Sequence, residues 1–299
     1  MTIKELNSKY AIEGYLSFVE GKGNMAIAML SNDYSFVQVS LYGAHVLTFE
    51  PADKDDVLMM SSKSYFEKGK PMRGGIPLCF PWFGPHVTDK AFPAHGFARL
   101  MDWTVKSTTQ LDNGNTQLVL RLTDNESTRA LWPYSLECEL SIMVGEKLEM
   151  EWIVKNTDSQ EFEVASAMHT YFSTNDVTQL SINGLEGVTY FDATQQLAPV
   201  VEGKNPIRID REVNRCYMDT QSTCEIIDPS MERTIHVAKT GSNSTVVWNP
   251  WADVAKTIVD LGDKEYMGFV CVETANVHHN KVSIAAGASH RMTLTISAD

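Results

Sequence analysis

Leu136, Cys138, Leu140 and Ile142 alternate with polar neighbours, Gly145-Glu146-Lys147 turns the chain, and Leu148, Met150, Trp152 and Val154 alternate back. Period 2 on both sides of a glycine turn predicts a β-hairpin with one face in a core. The same pattern continues outward in both directions. Upstream, Asp102-Trp103-Thr104-Val105 starts a strand, Asp112-Asn113-Gly114-Asn115 is a turn of the Asn-Gly kind, and Gln117 to Leu122 returns. Residues 124–134 fit a short helix that ends near Trp132-Pro133. Further upstream, Ser35 to Tyr42 alternates, Gly43 breaks the pattern and Ala44 to Phe49 resumes it, which reads as a strand, a kink and a strand. Residues 1–20 fit either a short helix or an edge strand, and residues 51–70 read as loop. Downstream, residues 162–172, 180–185, 188–192, 207–217, 233–237, 244–248, 268–273 and 290–297 read as strands, and Asn249-Pro250-Trp251-Ala252 opens a loop. More than a dozen strands and no long amphipathic helix predict an all-β sandwich or barrel. No composition break or internal repeat divides the chain, so residues 1–299 are expected to form one domain.

Composition narrows the function. With 43% hydrophobic and 21% charged residues the chain reads as an ordinary soluble protein. No apolar run reaches the ~20 residues of a membrane helix, and Met1 to Asn7 lacks the apolar core of a signal peptide. The net charge of −13 argues against nucleic acid as a partner, although a local cluster of cations would still serve a small anion. Five cysteines without CxxC spacing suit reduced thiols, and with them a cytoplasmic location. The sequence does not set the oligomeric state, and a monomer is compatible with it.

Two stretches carry candidate chemistry. Phe269-Val270-Cys271-Val272-Glu273 is an apolar strand that ends in a carboxylate. Alternation alone would allow Glu273 to face water; burial would require a partner or a task. Residues 71–86 hold four prolines and three glycines in sixteen positions, too many for a helix or a central strand. Pro93 to Arg99 continues in the same style, so Arg73, His86, His95 and Arg99 ride on a long loop of fixed conformation. Gly-rich backbone beside arginine is one way to approach an anion closely, though a solvated surface loop has the same composition. No metal site is signalled: His278 and His279 are adjacent, and HExxH and paired cysteines are absent. P-loop, GxGxxG and GxSxG motifs are absent too. Acid–base chemistry by Glu and His remains, without a cofactor.

Taken in order, Arg73-Gly74-Gly75-Ile76-Pro77, Phe80-Pro81-Trp82-Phe83-Gly84, His95-Gly96-Phe97-Ala98-Arg99, His169-Thr170-Tyr171-Phe172, Trp248-Asn249-Pro250-Trp251 and Cys271-Val272-Glu273 resemble the aldose 1-epimerase (galactose mutarotase-like) superfamily, and within it the hexose-6-phosphate mutarotases. The resemblance spans roughly residues 30 to 297. It implies a large antiparallel β-supersandwich and interconversion of the α and β anomers of a hexose 6-phosphate, D-glucose 6-phosphate first among them. It also implies roles: Glu273 as the base at the anomeric hydroxyl, His169 as the acid at the ring oxygen, Arg73 and Arg99 at the sugar and its phosphate, His95 beside the sugar. The chemistry asks for such a pair, because the two protons lie on different oxygens of one hemiacetal.

The sequence departs from the family's pattern at two places. Ala94 stands where some relatives have glutamine, and Asn214 stands where an aspartate is frequent. Asn214 keeps a hydrogen bond to sugar within reach but brings no charge. Trp82, Trp248 and Trp251 fit core packing and sugar-facing walls equally well, with Trp248 counted as a substrate-binding candidate. His45, His86, His236 and His290 are read as structural or surface residues. Two other functions share this fold: a mutarotase of free aldoses, which needs no phosphate site, and a non-catalytic carbohydrate-binding module, which needs no acid–base pair.

Overall fold

The computed structural model describes residues 1–299. Leu136–Val144 and Leu148–Asn156 pair antiparallel with Leu140 opposite Trp152, and burial alternates strictly along the first of them. This hairpin lies inside an eight-stranded sheet, in the order Ser181–Asn183, Cys224–Asp228, Arg233–Thr240, Ser289–Ala298, Leu148–Asn156, Leu136–Val144, Thr116–Thr123, Thr104–Gln110. A second eight-stranded sheet runs Pro199–Val201, Thr189–Asp192, Val213–Met218, Ser244–Asn249, Phe269–Asn276, Ser166–Met168, Leu78–Cys79, with Tyr171–Ser173 also paired to Phe269–Asn276. Leu16–Glu20, Ala26–Ser31, Ser35–Ser40 and His45–Pro51 form a four-stranded meander. Phe162–Val164 pairs with Val282–Ile284. Every strand pair is antiparallel, as the supersandwich expectation requires.

One cluster of 56 buried apolar side chains joins the two large sheets and the meander, from Val37 and Phe49 through Leu140 and Trp152 to Val270 and Val272. Phe269–Asn276 is buried at all eight positions, because its second face is covered as well. There Cys271 packs with Tyr171, Leu261 and Phe269, and Ala275 packs with Cys79, Ala167 and Val246. That covered second face is where the candidate site lies.

Several elements differ from the sequence reading. Gly43 does not kink one strand; it turns a hairpin, with Ser40 opposite His45. Residues 1–20 form both a helix, Ile3–Tyr10, capped by Thr2, and a strand, Leu16–Glu20. The segment 207–217 is a strand only over Val213–Met218, since Ile207 makes a lone bridge to Ile182. The strand at Glu273 continues to Asn276, and Trp251–Ala255 is a short helix. The segment 162–172 is three strands, and its break at His169-Thr170 has a consequence for the site.

Candidate active site

Glu273 is 1% exposed, so the water-facing alternative is excluded. Val246 is its partner on one side. On the other side Met168 pairs with Thr274 and Tyr171 with Cys271, which leaves His169 and Thr170 as the unpaired step opposite Glu273. The break frees His169 from strand geometry and brings its Nε2 to 3.3 Å from Glu273 Oε1. The backbone around it is held by the Gly-rich loop: the His169 N–H donates to the Pro77 carbonyl and the Tyr171 N–H to the Gly75 carbonyl.

That loop needs its glycines. Gly75 has φ +60°, and a Cβ there would lie 2.2 Å from the Val46 carbonyl oxygen. His45, fully buried beneath the loop, donates from Nε2 to the Gly74 carbonyl at 2.7 Å. Burial pushes its pKa down to about 4, so it is a neutral support, in line with the structural role read from the sequence.

Arg73 projects from this loop to two partners that the sequence reading did not assign. Its Nε and Nη2 donate to Asp260 Oδ1 at 3.2 and 3.1 Å, and its Nη1 donates to the Tyr171 hydroxyl at 2.9 Å. Tyr171 stacks on His169, with ring centroids 4.9 Å apart and planes 13° from parallel. Tyr171 raises the pKa of Arg73 above the usual guanidinium value, and Asp260 adds to this against the pull of burial. Tyr171 lies inside the His169-Thr170-Tyr171-Phe172 block, and Asp260 sits between Val259 and Leu261. An acid inside an apolar run was the signal available there.

His95 adopts φ +62°, an uncommon conformation outside glycine. Its N–H donates to the Gly84 carbonyl, while its Nδ1 accepts from the Gly84 N–H at 3.3 Å. Burial, reinforced by Arg99 and Arg73, pushes its pKa down to about 3. A neutral ring that accepts at Nδ1 carries its proton on Nε2, so His95 is a hydrogen-bond donor. Its ring centroid is 5.9 Å from that of His169.

Arg99 donates from Nη2 to the Ala94 carbonyl at 2.8 Å, its buried Nε has no partner, and no carboxylate pairs with it. Burial is the largest influence on its pKa and lowers it. The nearby Asp102 carboxylate pairs with Lys68 instead. Trp248 stands edge-on to His169 at 5.8 Å and to Tyr171 at 6.0 Å, half-buried on the site's face. Asn214 lies opposite Trp248 on the next strand and makes no side-chain hydrogen bond within the protein. Trp82 instead ties the loop down through Nε1 to the Pro93 carbonyl, and Trp251 packs on Tyr266.

Apolar clusters flank the pair on both sides, and that decides its electrostatics. Burial raises the pKa of Glu273 well above its ordinary value, with Arg99 opposing. Burial lowers that of His169 well below its ordinary value, and His95, Arg73 and Arg99 reinforce it. Each group therefore resists its charged form, and the two share one proton across their 3.3 Å contact. Glu273 Oε2 and His169 Nδ1 are both buried without a partner. A surface pocket of about 680 Å³ between Ser31, Glu50 and Arg233 is lined by none of these residues. It is the converging buried charges that mark the site.

The antiparallel β-supersandwich thus carries a buried carboxylate–imidazole contact and two neighbouring arginines on one sheet face. The family model described as aldose 1-epimerase matches residues 26–297, and the chain belongs to this family. It is 35% identical over 236 residues to a "Putative glucose-6-phosphate 1-epimerase" of Escherichia coli (strain K12), covering 79% of this chain and 78% of that one. A Cenchrus ciliaris protein of the same description is 32% identical over 271 residues, 87% of this chain and 80% of its own. The crystal structure of a "putative mutarotase (YeaD)" from Salmonella typhimurium superposes with a TM-score of 0.87 at 28% identity, covering 99% of this chain and 98% of that one.

Proposed function

We propose that the protein interconverts the α and β anomers of a hexose 6-phosphate, D-glucose 6-phosphate first among them, with Glu273 and His169 as its acid–base pair. The buried contact between these two side chains carries the reading. In the opening step the Glu273 carboxylate takes the proton of the anomeric hydroxyl while the His169 imidazolium protonates the ring oxygen. The C1–O5 bond breaks as the C1 carbonyl forms. Rotation about C1–C2 presents the other face, and closure runs the same transfers backward. Charges cancel within the pair: carboxylate plus imidazolium becomes carboxylic acid plus imidazole. The pair holds one proton in either form: carboxylic acid with imidazole, which burial favours, and carboxylate with imidazolium, which starts ring opening, interconvert by moving that proton across the 3.3 Å contact.

His95, with its proton on Nε2, donates to a sugar oxygen; Trp248 and Asn214 line the sugar's side. Arg73 and Arg99 bind the substrate, and a guanidinium suits a phosphate because its fork meets two oxygens and stays charged. The relatives described as glucose-6-phosphate 1-epimerases support this choice of substrate over a free aldose. We also read residues 1–299 as one domain, supported by a core that runs from Leu6 to Ile296. A cytoplasmic location is supported by five unpaired, buried cysteines. No helix is long and apolar enough to cross a membrane.

The test is anomer exchange of glucose 6-phosphate followed by NMR magnetisation transfer, with free glucose and galactose in parallel. Accelerated exchange of the phosphate is expected, with about 10²- to 10⁴-fold losses in Glu273→Gln and in His169→Asn. Acceleration of the free sugars alone would move the substrate to unphosphorylated aldoses. No acceleration of any of the three would overturn the reading.

A further inference from the structure

We propose that Asp260 is a positioning residue that, through Arg73 and Tyr171, fixes the ring of His169 and leaves Arg99 as the site's uncompensated cation. The inference rests on the acid–base reading of His169 and Glu273 given above.

A carboxylate that is 5% exposed needs a partner, and Asp260 has one only in Arg73. A single oxygen, Oδ1, takes both N–H groups on the inner edge of the guanidinium. Tyr171 accepts a third, from Nη1. Three of the five N–H groups of Arg73 are thus committed inside the protein, and its plane is set before any ligand arrives. Tyr171 is itself buried, and its ring lies parallel to His169. The order Asp260, Arg73, Tyr171, His169 is therefore a continuous series of contacts ending on the imidazole that faces Glu273.

The series also sorts the charges. Arg73 and Asp260 sum to zero, whereas Arg99 meets only a backbone carbonyl. His169 is faced by Glu273, His95, Tyr171, Arg73 and Arg99. Without the charge of Asp260, Arg73 would act on His169 as a second bare cation, and the imidazolium would form less readily. The active pair holds one proton; a second proton ends activity at low pH and loss of the only one ends it at high pH. An added cation makes both protons harder to hold, so both limbs of the pH profile move to lower pH.

The experiment compares wild-type protein, Asp260→Asn and Asp260→Glu by exchange of glucose 6-phosphate across about pH 5 to 9. For Asp260→Asn the expected result is a shift of both limbs by about one unit toward acid. Its kcat falls about tenfold, a fraction of what a placed acid–base group supplies, while KM does not rise. Asp260→Glu, which restores the charge, returns the limbs to their wild-type positions. Limbs that stay in place while kcat and KM worsen together would mean that Asp260 is only a structural anchor, and would overturn the proposal. If Asp260→Asn does not fold, Tyr171→Phe replaces it: the ring on His169 stays and Asp260 still holds Arg73, but the hydrogen bond that links Arg73 to that ring is lost; kcat is expected to fall at constant KM, and an unaltered kcat overturns the proposal. A wild-type protein that exchanges no hexose phosphate would overturn the reading beneath it.

Discussion

Arg99 and Arg73 are the same residue type in one site, yet their surroundings give them different work. Arg73 is paired with Asp260; Arg99 has no carboxylate and a buried Nε with no partner. Arg99 also opposes the raised pKa of Glu273 and adds to the lowered pKa of His169. Arg99→Gln is therefore expected to act in two ways. KM for the hexose phosphate rises about tenfold or more, the worth of a charge-assisted hydrogen bond. Both limbs of the pH profile move to higher pH, because the cation that favoured the carboxylate and disfavoured the imidazolium is gone. Steady-state exchange rates across the pH range check both effects, and an unchanged KM would reassign Arg99 to holding the Ala94 turn. At this scale the sequence was readable wherever an ionisable residue broke an apolar run. Glu273 interrupts a long run and stood out; Asp260 interrupts only Val259 and Leu261 and did not. Its partner lies 187 residues away, a closeness that only the folded chain creates.

The loop from Pro71 to Arg99 is the element that makes the site. Its proline and glycine density announced a fixed conformation, and the glycines are required by contact. Gly96 has φ +72°, and a Cβ there would lie 1.9 Å from the Phe80 carbonyl oxygen. That carbonyl also accepts the Phe97 N–H, so neither side has room to yield. Gly96→Ala is expected to cost roughly 2 kcal/mol or more in urea unfolding and to displace His95, with a drop in exchange rate beyond the loss of folded protein. Wild-type stability in that variant would show that the loop can shift, and that His95 is held by less than the structure implies. Strands were legible where one face meets solvent and the pattern alternates, as in Leu136–Val144. They were illegible where both faces are covered, as in Phe269–Asn276, because nothing in the pattern marks the end of such a run. The break at His169-Thr170 left no trace in composition. It follows from the register of neighbouring strands, which period-2 reading of one segment does not contain.

Across the whole molecule, buried groups whose pKa values move in opposite directions set how stability depends on pH. His45 and His95 have folded-state values of about 4 and about 3, and that of His169 is also lowered. Below about pH 6.5 the unfolded chain binds protons at these rings and the fold does not, so stability rises with pH up to that point. Glu273 and Asp56 act the other way. Asp56 is half-buried, and burial raises its pKa to about 7, although its Oδ1 accepts from the Phe49 and Leu58 N–H groups. Between about pH 4 and 7 the fold keeps a proton on Asp56 that the unfolded chain has released, so this group makes stability fall as pH rises. Above about pH 6.5 the imidazoles no longer compensate, which places the maximum of stability near there. Asp56→Asn isolates the carboxyl contribution, since the amide oxygen still accepts the two N–H groups and no charge can form. The gain in stability over wild type is expected to be about 2–3 kcal/mol larger near pH 8 than near pH 5, read as Tm or urea midpoint. An equal gain at both pH values would mean that Asp56 is ionised throughout in the fold. The fall on the alkaline side would then belong to Glu273 alone, and the carboxyl of the proposed acid–base pair would carry the whole cost of being buried without its charge.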